Sequence, residues 1–345
     1  MKSETKLFGS TAGRGGLILV GLLFLIGAAA LTAVLFESRS ATPTSAAPVK
    51  PLLVGYQKSP AMALIMVAQD QGYFKDATGH QQIELKEFEA GKLALQAFLG
   101  KSLDVAVAGD VPIGLALLQG QKLTAFAEVI KGSRDEIRMV VRASQPCPSA
   151  ESYFRTKRRI ATSFGGGPQY FTESFIVKNA ILPANVETLP FKPTEMPNAV
   201  DSEAVDGAAI FDPAAAKIER ELGSAGCTFP DPLNYRQHYI AVARPEMFGG
   251  APDPRLKFFV AGLKRAEAYI AQNPDKALLI VQRGTQIDHE ILVKQWGLLK
   301  FGVVLDETLP NLWAQESIFF RRQPGGTFLA EDPKFSSVLN DELVK

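Results

Sequence analysis

Few residues along this 345-residue chain are equipped for covalent or redox chemistry. The three histidines, His80, His238 and His289, lie far apart and lack ligand spacing. Cys147 and Cys227 are the only cysteines and form no C-x-x-C pair, so a zinc site or an iron–sulfur cluster lacks its usual ligands. No G-x-S-x-G nucleophile turn occurs. The triple glycine Gly165-Gly166-Gly167, followed by Pro168, fits neither G-x-G-x-x-G nor G-x-x-x-x-G-K-[ST]. No catalytic residue, metal or cofactor is expected. The remaining chemistry is that of holding a ligand. Gly165–Gly167 would open a helix and offer backbone N–H groups to an anion, although a plain turn accounts for the same residues. Asp110 precedes Val111-Pro112 at a helix start, where it can cap the helix for about 1 kcal/mol, contact a ligand, or do both from opposite oxygens. Asp212, before Pro213, has the same two readings. Two such carboxylates beside an anion-binding turn would suit a zwitterion such as an aminosulfonate.

Those residues fall at the ends of short strands. Leu52–Gly55 is an apolar strand that runs into Tyr56-Gln57-Lys58-Ser59-Pro60, and Ala61–Gln71 then shows helical spacing up to Gly72. Strands at 82–88 and 105–108 and helices at 91–99 and after Pro112 continue the alternation, followed by strands at 123–130 and 137–141. The pattern restarts with a strand at 159–162, the glycine turn, a helix at 170–179, a strand at 186–191, a short helix at 196–202 and a strand at 208–211. Short apolar strands separated by helices of about ten residues indicate parallel sheets covered on both faces. Two α/β lobes of similar plan follow. Helices dominate from Pro254 onward (255–272, 274–283, 288–299) and are expected to pack back on the first lobe. In open parallel sheets, ligands sit at the carboxyl ends of strands near helix N-termini. Four loops satisfy that rule: Tyr56–Ser59, Gly109–Pro112, Ser163–Gln169 and Phe211–Pro213. If the lobes face each other, all four border one cleft. His238 lies near the chain's return through the hinge and reads as structural.

The first residues differ from the rest. A head with Lys2, Lys6 and Arg14 precedes an uncharged apolar run from Leu17 to Phe36, about twenty residues, long enough to span a bilayer. The basic head should stay in the cytoplasm, which sends everything after Glu37 outside. Ser40–Pro51 reads as a tether that also offers small residues to a signal peptidase, so permanent anchor and cleaved signal both stand. In an oxidising compartment Cys147 and Cys227 can close a long loop, with two free thiols as the alternative. Hydrophobic residues at 46% and charged residues at 21% fit a soluble globular body, not a disordered or multi-span protein. A net charge of +1 gives no basic field for nucleic acid.

The stretches V-G-Y-Q-K-S-P-A-M-A-L-I-M-V-A-Q-D-Q-G-Y-F-K (Val54–Lys75), A-L-Q-A-F-L-G-K-S-L-D-V-A-V-A-G-D-V-P (Ala94–Pro112), P-T-E-M-P-N-A-V (Pro193–Val200) and G-A-A-I-F-D-P (Gly207–Pro213) resemble the sulfonate/nitrate/taurine and pyrimidine-precursor receptors that serve ABC transporters. The resemblance covers Pro51 to Asn273. It implies a type II periplasmic-binding-protein fold, two α/β lobes joined by a hinge with a ligand cleft between them, here preceded by one N-terminal hydrophobic helix. It divides the chain into a head and signal or anchor helix (1–39), a tether (40–51), a first lobe (52–142 and 243–345) and a second lobe (143–242). The binding positions it implies are Tyr56, Gln57, Ser59, Gly109, Asp110, Gly165, Gly166, Gly167 and Asp212. It also implies a monomeric receptor on the periplasmic side of the membrane, a small anionic or zwitterionic solute, and an ABC permease with its ATPase as partners. A ligand-sensing ectodomain is the alternative. A pyrimidine-precursor-synthase-like enzyme is a weaker one, since the cleft loops carry no histidine or cysteine. The triple glycine departs from relatives that carry more serine or threonine there, which weakens any transfer of ligand identity.

Overall fold

The computed structural model describes residues 50–131, 136–229, 231, 235–323 and 326–345. The expected apolar helix at 17–36 and most of the tether lie outside them. Among the described residues no helix is long and apolar enough to cross a membrane.

The chain opens with β1 (Leu52–Gln57), α1 (Ala63–Asp70), β2 (Ile83–Phe88), α2 (Gly91–Leu99), β3 (Val105–Gly109), α3 (Asp110–Leu118) and β4 (Thr124–Lys131). It continues with β5 (Ile137–Arg142), α4 (Ala150–Tyr153), β6 (Arg158–Thr162), α5 (Gly167–Lys178), β7 (Val186–Pro190), α6 (Met196–Asp201), β8 (Gly207–Phe211), α7 (Ala214–Leu222) and β9 (Gly226–Phe229). The remainder is β10 (His238–Ala243), α8 (Pro254–Gln272), α9 (Pro274–Thr285), α10 (His289–Trp296), β11 (Lys300–Val304) and α11 (Leu309–Phe320). Strands β3 and β8 are buried at every position, as continuous apolar runs between two helix layers must be.

The strands form two sheets, ordered β11-β4-β10-β3-β1-β2 and β7-β6-β8-β5-β9. The plans match. Each has a parallel trio, β2-β1-β3 or β7-β6-β8, next to one antiparallel strand that arrives from the other lobe. These arriving strands, β10 and β5, correct the expected lobe boundaries. Ile137–Arg142 pairs with β8 and β9 in the second sheet, and His238–Ala243 pairs with β3 and β4 in the first. The chain therefore crosses between Lys131 and Ile137 and again between Phe229 and His238. A buried apolar strand carries no local mark of the sheet it joins, so its pattern could not place either crossing.

On one face of the first sheet, α1, α8 and α9 bury Leu64, Val67, Phe259, Leu263 and Val281 against the strands. On the other face α2, α3 and α11 bury Phe98, Leu117 and Trp313. The second lobe has its own core, in which Phe154, Phe175 and Phe229 pack ring against ring. A disulfide joins Cys147 to Cys227, 80 residues apart, with the Cα atoms separated by 5.7 Å. It fastens the segment before α4 to strand β9, both in the second lobe.

Candidate functional site

Three helix N-termini converge where the lobes meet. Helices α2, α3 and α5 begin after Ala90, Gly109 and Gly166, and none of these residues provides a side-chain cap. Residues of these three starts (Gly91 and Lys92, Gly109 and Pro112, Gly166 and Gly167), with Gln57 and Gln237, line a cavity of about 30 Å³. The positive ends of three helix dipoles thus face one small space, with the Gly91 N–H already donating to Gln57 Oε1 at 3.1 Å. Two of the three glycines are required by geometry. Gly165 takes φ +73°, the left-handed region that side chains disfavour. A Cβ on Gly167 would press on the side chains of Gln237, Ile137 and Tyr235 around the two crossings.

Lys92, in the first turn of α2, reaches across the cleft. Its ammonium donates to Ser163 Oγ at 3.2 Å and to the Phe164 carbonyl at 2.8 Å, both in the second lobe. Among the described residues it has no carboxylate partner, and burial lowers its pKa. Other links between the lobes, Arg220–Asp288 at 3.0 Å and Lys294–Glu219 at 3.7 Å, are exposed ion pairs of small energetic weight.

Gln57 and Phe211 are also walls of a larger pocket of about 600 Å³ between the lobes. Its apolar side is formed by Phe88, Pro193, Pro197, Phe211, Ile287 and Ile291, and Ser59 lies at its inner edge.

The residues singled out in the sequence separate into two groups. Gln57, Gly109, Gly166 and Gly167 line the small cavity, Ser59 borders the larger pocket, and Gly165 shapes the turn that leads into α5. Tyr56 points into the first lobe's core, 3% exposed, with its hydroxyl donating to Glu87 at 3.1 Å. Asp110 is fully buried and accepts from the Tyr235 hydroxyl at 2.9 and 3.1 Å. Asp212 accepts a two-pronged contact from Arg138, at 2.5 and 3.0 Å, and caps α7 through the Ala216 N–H at 3.1 Å. Lys92 was missed in the sequence, where a lysine in a first helical turn reads as solvated.

Around the crossings lies a set of buried acids. The Glu316 carboxyl faces Asp110, beneath a glycine, Gly114, where a Cβ would meet Glu316 Oε2 at 3.0 Å. With both groups ionised, neither Glu316 oxygen finds a donor. The pair therefore holds a proton: burial pushes Glu316 well above the usual carboxyl range, and the charge of Asp110 pushes it further. Glu136, just after the first crossing, accepts from the Tyr239 hydroxyl at 2.6 Å, and burial raises its pKa from 4.5 to about 8. Glu128, His238 and Asp306 bring three metal-capable atoms within 4.8 Å of one another. Both Glu128 oxygens are already occupied, one by His238 Nδ1 and one by the Asp306 N–H, each at 2.7 Å. Burial disfavours the charged His238 ring, but the Glu128 hydrogen bond and the nearby charges outweigh it and raise the pKa.

The raised carboxyls fix the sign of the pH dependence. The unfolded chain releases the Glu136 proton near pH 4.5, while the folded chain keeps it until about 8. Stability present at low pH is thus lost as pH rises through that window, by a few kcal/mol on the order of magnitude. Urea midpoints should fall from pH 4.5 to 8, and Glu136→Gln should flatten the profile. A midpoint that rises across this range in the parent chain would contradict the assignment.

Two α/β lobes linked by two crossings, with helix N-termini facing each other across the cleft, define a periplasmic-binding-protein fold. The chain belongs to the NMT1-like family, whose profile matches residues 45–228. No functionally curated protein sequence matches it. Among solved structures, the alkanesulfonate-binding protein SsuA from Xanthomonas axonopodis pv. citri bound to MOPS is 16% identical, with TM-score 0.70 over 86% of this chain and 100% of that one. The aliphatic sulphonate binding protein SsuA from Escherichia coli is also 16% identical, with TM-score 0.66 over 80% of this chain and 89% of its own. The nitrate-binding protein NrtA from Synechocystis PCC 6803 is 13% identical, with TM-score 0.65 over 86% of this chain and 88% of that one.

Proposed function

We propose that this chain is the extracytoplasmic solute-binding receptor of an ABC importer, and that its solute is a small organic anion. The observation that carries the anion is Lys92: a half-buried ammonium with no carboxylate partner among the described residues, next to three helix N-termini. A cation withdrawn from water without a counter-charge is costly, and an anion arriving beside it offsets that cost. The apolar wall of the neighbouring pocket suits an organic body attached to the acidic group.

The same geometry favours a simple acid over a zwitterion. Of the two carboxylates expected to hold an amine, Asp110 is enclosed with Tyr235 and Glu316, and Asp212 is bound to Arg138. Structural neighbours that bind alkanesulfonates and nitrate support an anion of this kind. In the closed form the small cavity, at about 30 Å³, has room for roughly one water. A sulfonate would therefore enter with the lobes apart and take over the contacts that Lys92 now makes to Ser163 and Phe164. Closure about the two crossings would then hold the ligand between residues 50–131 with 238–345 on one side and 137–229 on the other, its preference for the closed state setting the population.

The closed receptor would present both lobes to a permease driven by a cytoplasmic ATPase, acting as a monomer by binding and release, not catalysis. The apolar run at 17–36 would hold it on the outer face of the cytoplasmic membrane or be removed after export.

Thermal denaturation of the full chain with alkanesulfonates, taurine, nitrate and aromatic carboxylates tests this reading. An accepted anion at a few hundred times its Kd should add about 3–4 kcal/mol of stability, and amines lacking an acidic group should add none. Stabilisation by amines alone would contradict it.

A further inference from the structure

Behind Ser59, at the inner edge of the larger pocket, three buried polar atoms lack partners. Ser59, Glu136 and Gln295 are 3%, 7% and 5% exposed. Ser59 Oγ, Glu136 Oε2 and Gln295 Nε2 make no hydrogen bond. An unmet buried polar group forfeits its hydrogen bonds to water without replacement, so three in one place call for an occupant. All three residues line a single cavity of about 10 Å³, closed by Pro60, Ala61, Leu298, Leu299 and Asp212. That space fits one water-sized atom group.

Its walls come from both sides of the cleft. Ser59 and Gln295 belong to the first lobe, Asp212 to the second, and Glu136 follows the first crossing. The cavity is therefore complete only when the lobes are together.

The wall chemistry selects the occupant. Gln295 Nε2 only donates, so an ammonium or a metal ion would leave it unmet. An anion oxygen only accepts, and would lie against Asp212 and an ionisable Glu136. A hydroxyl oxygen both donates and accepts, so it serves Gln295, Glu136 and Ser59 together. It does so with Glu136 protonated or ionised.

We propose that this cavity is a site for one hydroxyl-type oxygen that bridges the lobes. A bound water fills it in the free protein, and the hydroxyl of a ligand in the adjoining pocket displaces that water. The second half rests on the receptor reading above; the first does not.

The test is a crystal structure of the full chain with its lobes in contact, together with calorimetric titration of ethanesulfonate and 2-hydroxyethanesulfonate. One water-sized density peak within hydrogen-bonding distance of all three atoms is expected without ligand. With 2-hydroxyethanesulfonate the ligand hydroxyl should replace that peak and the Kd should be about tenfold lower than for ethanesulfonate, an advantage that Ser59→Ala reduces. A retained peak with equal affinities assigns the site to water alone and overturns the ligand half. If neither sulfonate binds, the receptor reading loses support while the peak still decides the site. An empty cavity, or the three atoms turned to other partners, overturns the proposal.

Discussion

Asp212→Ala is expected to destabilise the protein by about 3 kcal/mol, measured as a lower urea midpoint. The cost has two sources. Asp212 and Arg138 are nearly buried, with side chains 10% and 11% exposed, and bond through two nitrogens. Removing the carboxylate strips a buried guanidinium of its two-pronged partner, while the contact to Glu219 at 2.9 Å remains. Helix α7 also loses its bond from the Ala216 N–H. Arg138→Met combined with Asp212→Ala should recover part of the loss, because no buried guanidinium is then left and Glu219 keeps Lys294 at 3.7 Å. An unchanged midpoint with weakened ligand binding would instead make Asp212 a ligand group.

The second large effect is expected from the disulfide. Replacing Cys147 and Cys227 together by serine should cost about 4 kcal/mol, the loop-closure value for a bridge enclosing 80 residues. That loop contains β6, β7 and β8, the parallel trio of the second lobe, and no strand of the first sheet. The loss should therefore fall on the second lobe. In a denaturation series followed by hydrogen exchange, amides of β6 and β8 should open well before those of β1 and β3. Loss of protection in both lobes to the same extent would show that the two unfold as one unit, and no loss would place the bridge outside the stability of the fold.

How far the sequence reaches depends on how local each determinant is. Strands β1, β3 and β8 are readable because each is a short apolar run ending in a turn, and the turns after β1, β3 and β6 name Gln57, Ser59, Gly109 and the triple glycine. Sheet membership is not local: β5 and β10 look like any buried strand, and only pairing with β8 and β3 reveals that the chain has changed lobes. The two aspartates were ambiguous for the same reason. Asp110 is explained by Tyr235 and Glu316, and Asp212 by Arg138, partners between 74 and 206 residues away (316 − 110 = 206). Lys92 is the clearest case, since its meaning depends on Ser163 and Phe164 across the cleft.

That lysine offers the most direct test of the account. Lys92→Met keeps the stem of the side chain and removes the charge that the anion is proposed to meet. Calorimetric titration of the full chain and this variant, using the anion that most stabilises the parent, should show affinity falling about 10- to 100-fold in the variant. The unfolding midpoint without ligand should stay within about 0.5 kcal/mol of the parent's. Equal affinity in parent and variant, or no binding of any small anion by the parent, would contradict the proposal that this cleft is built around Lys92 to hold an acidic solute.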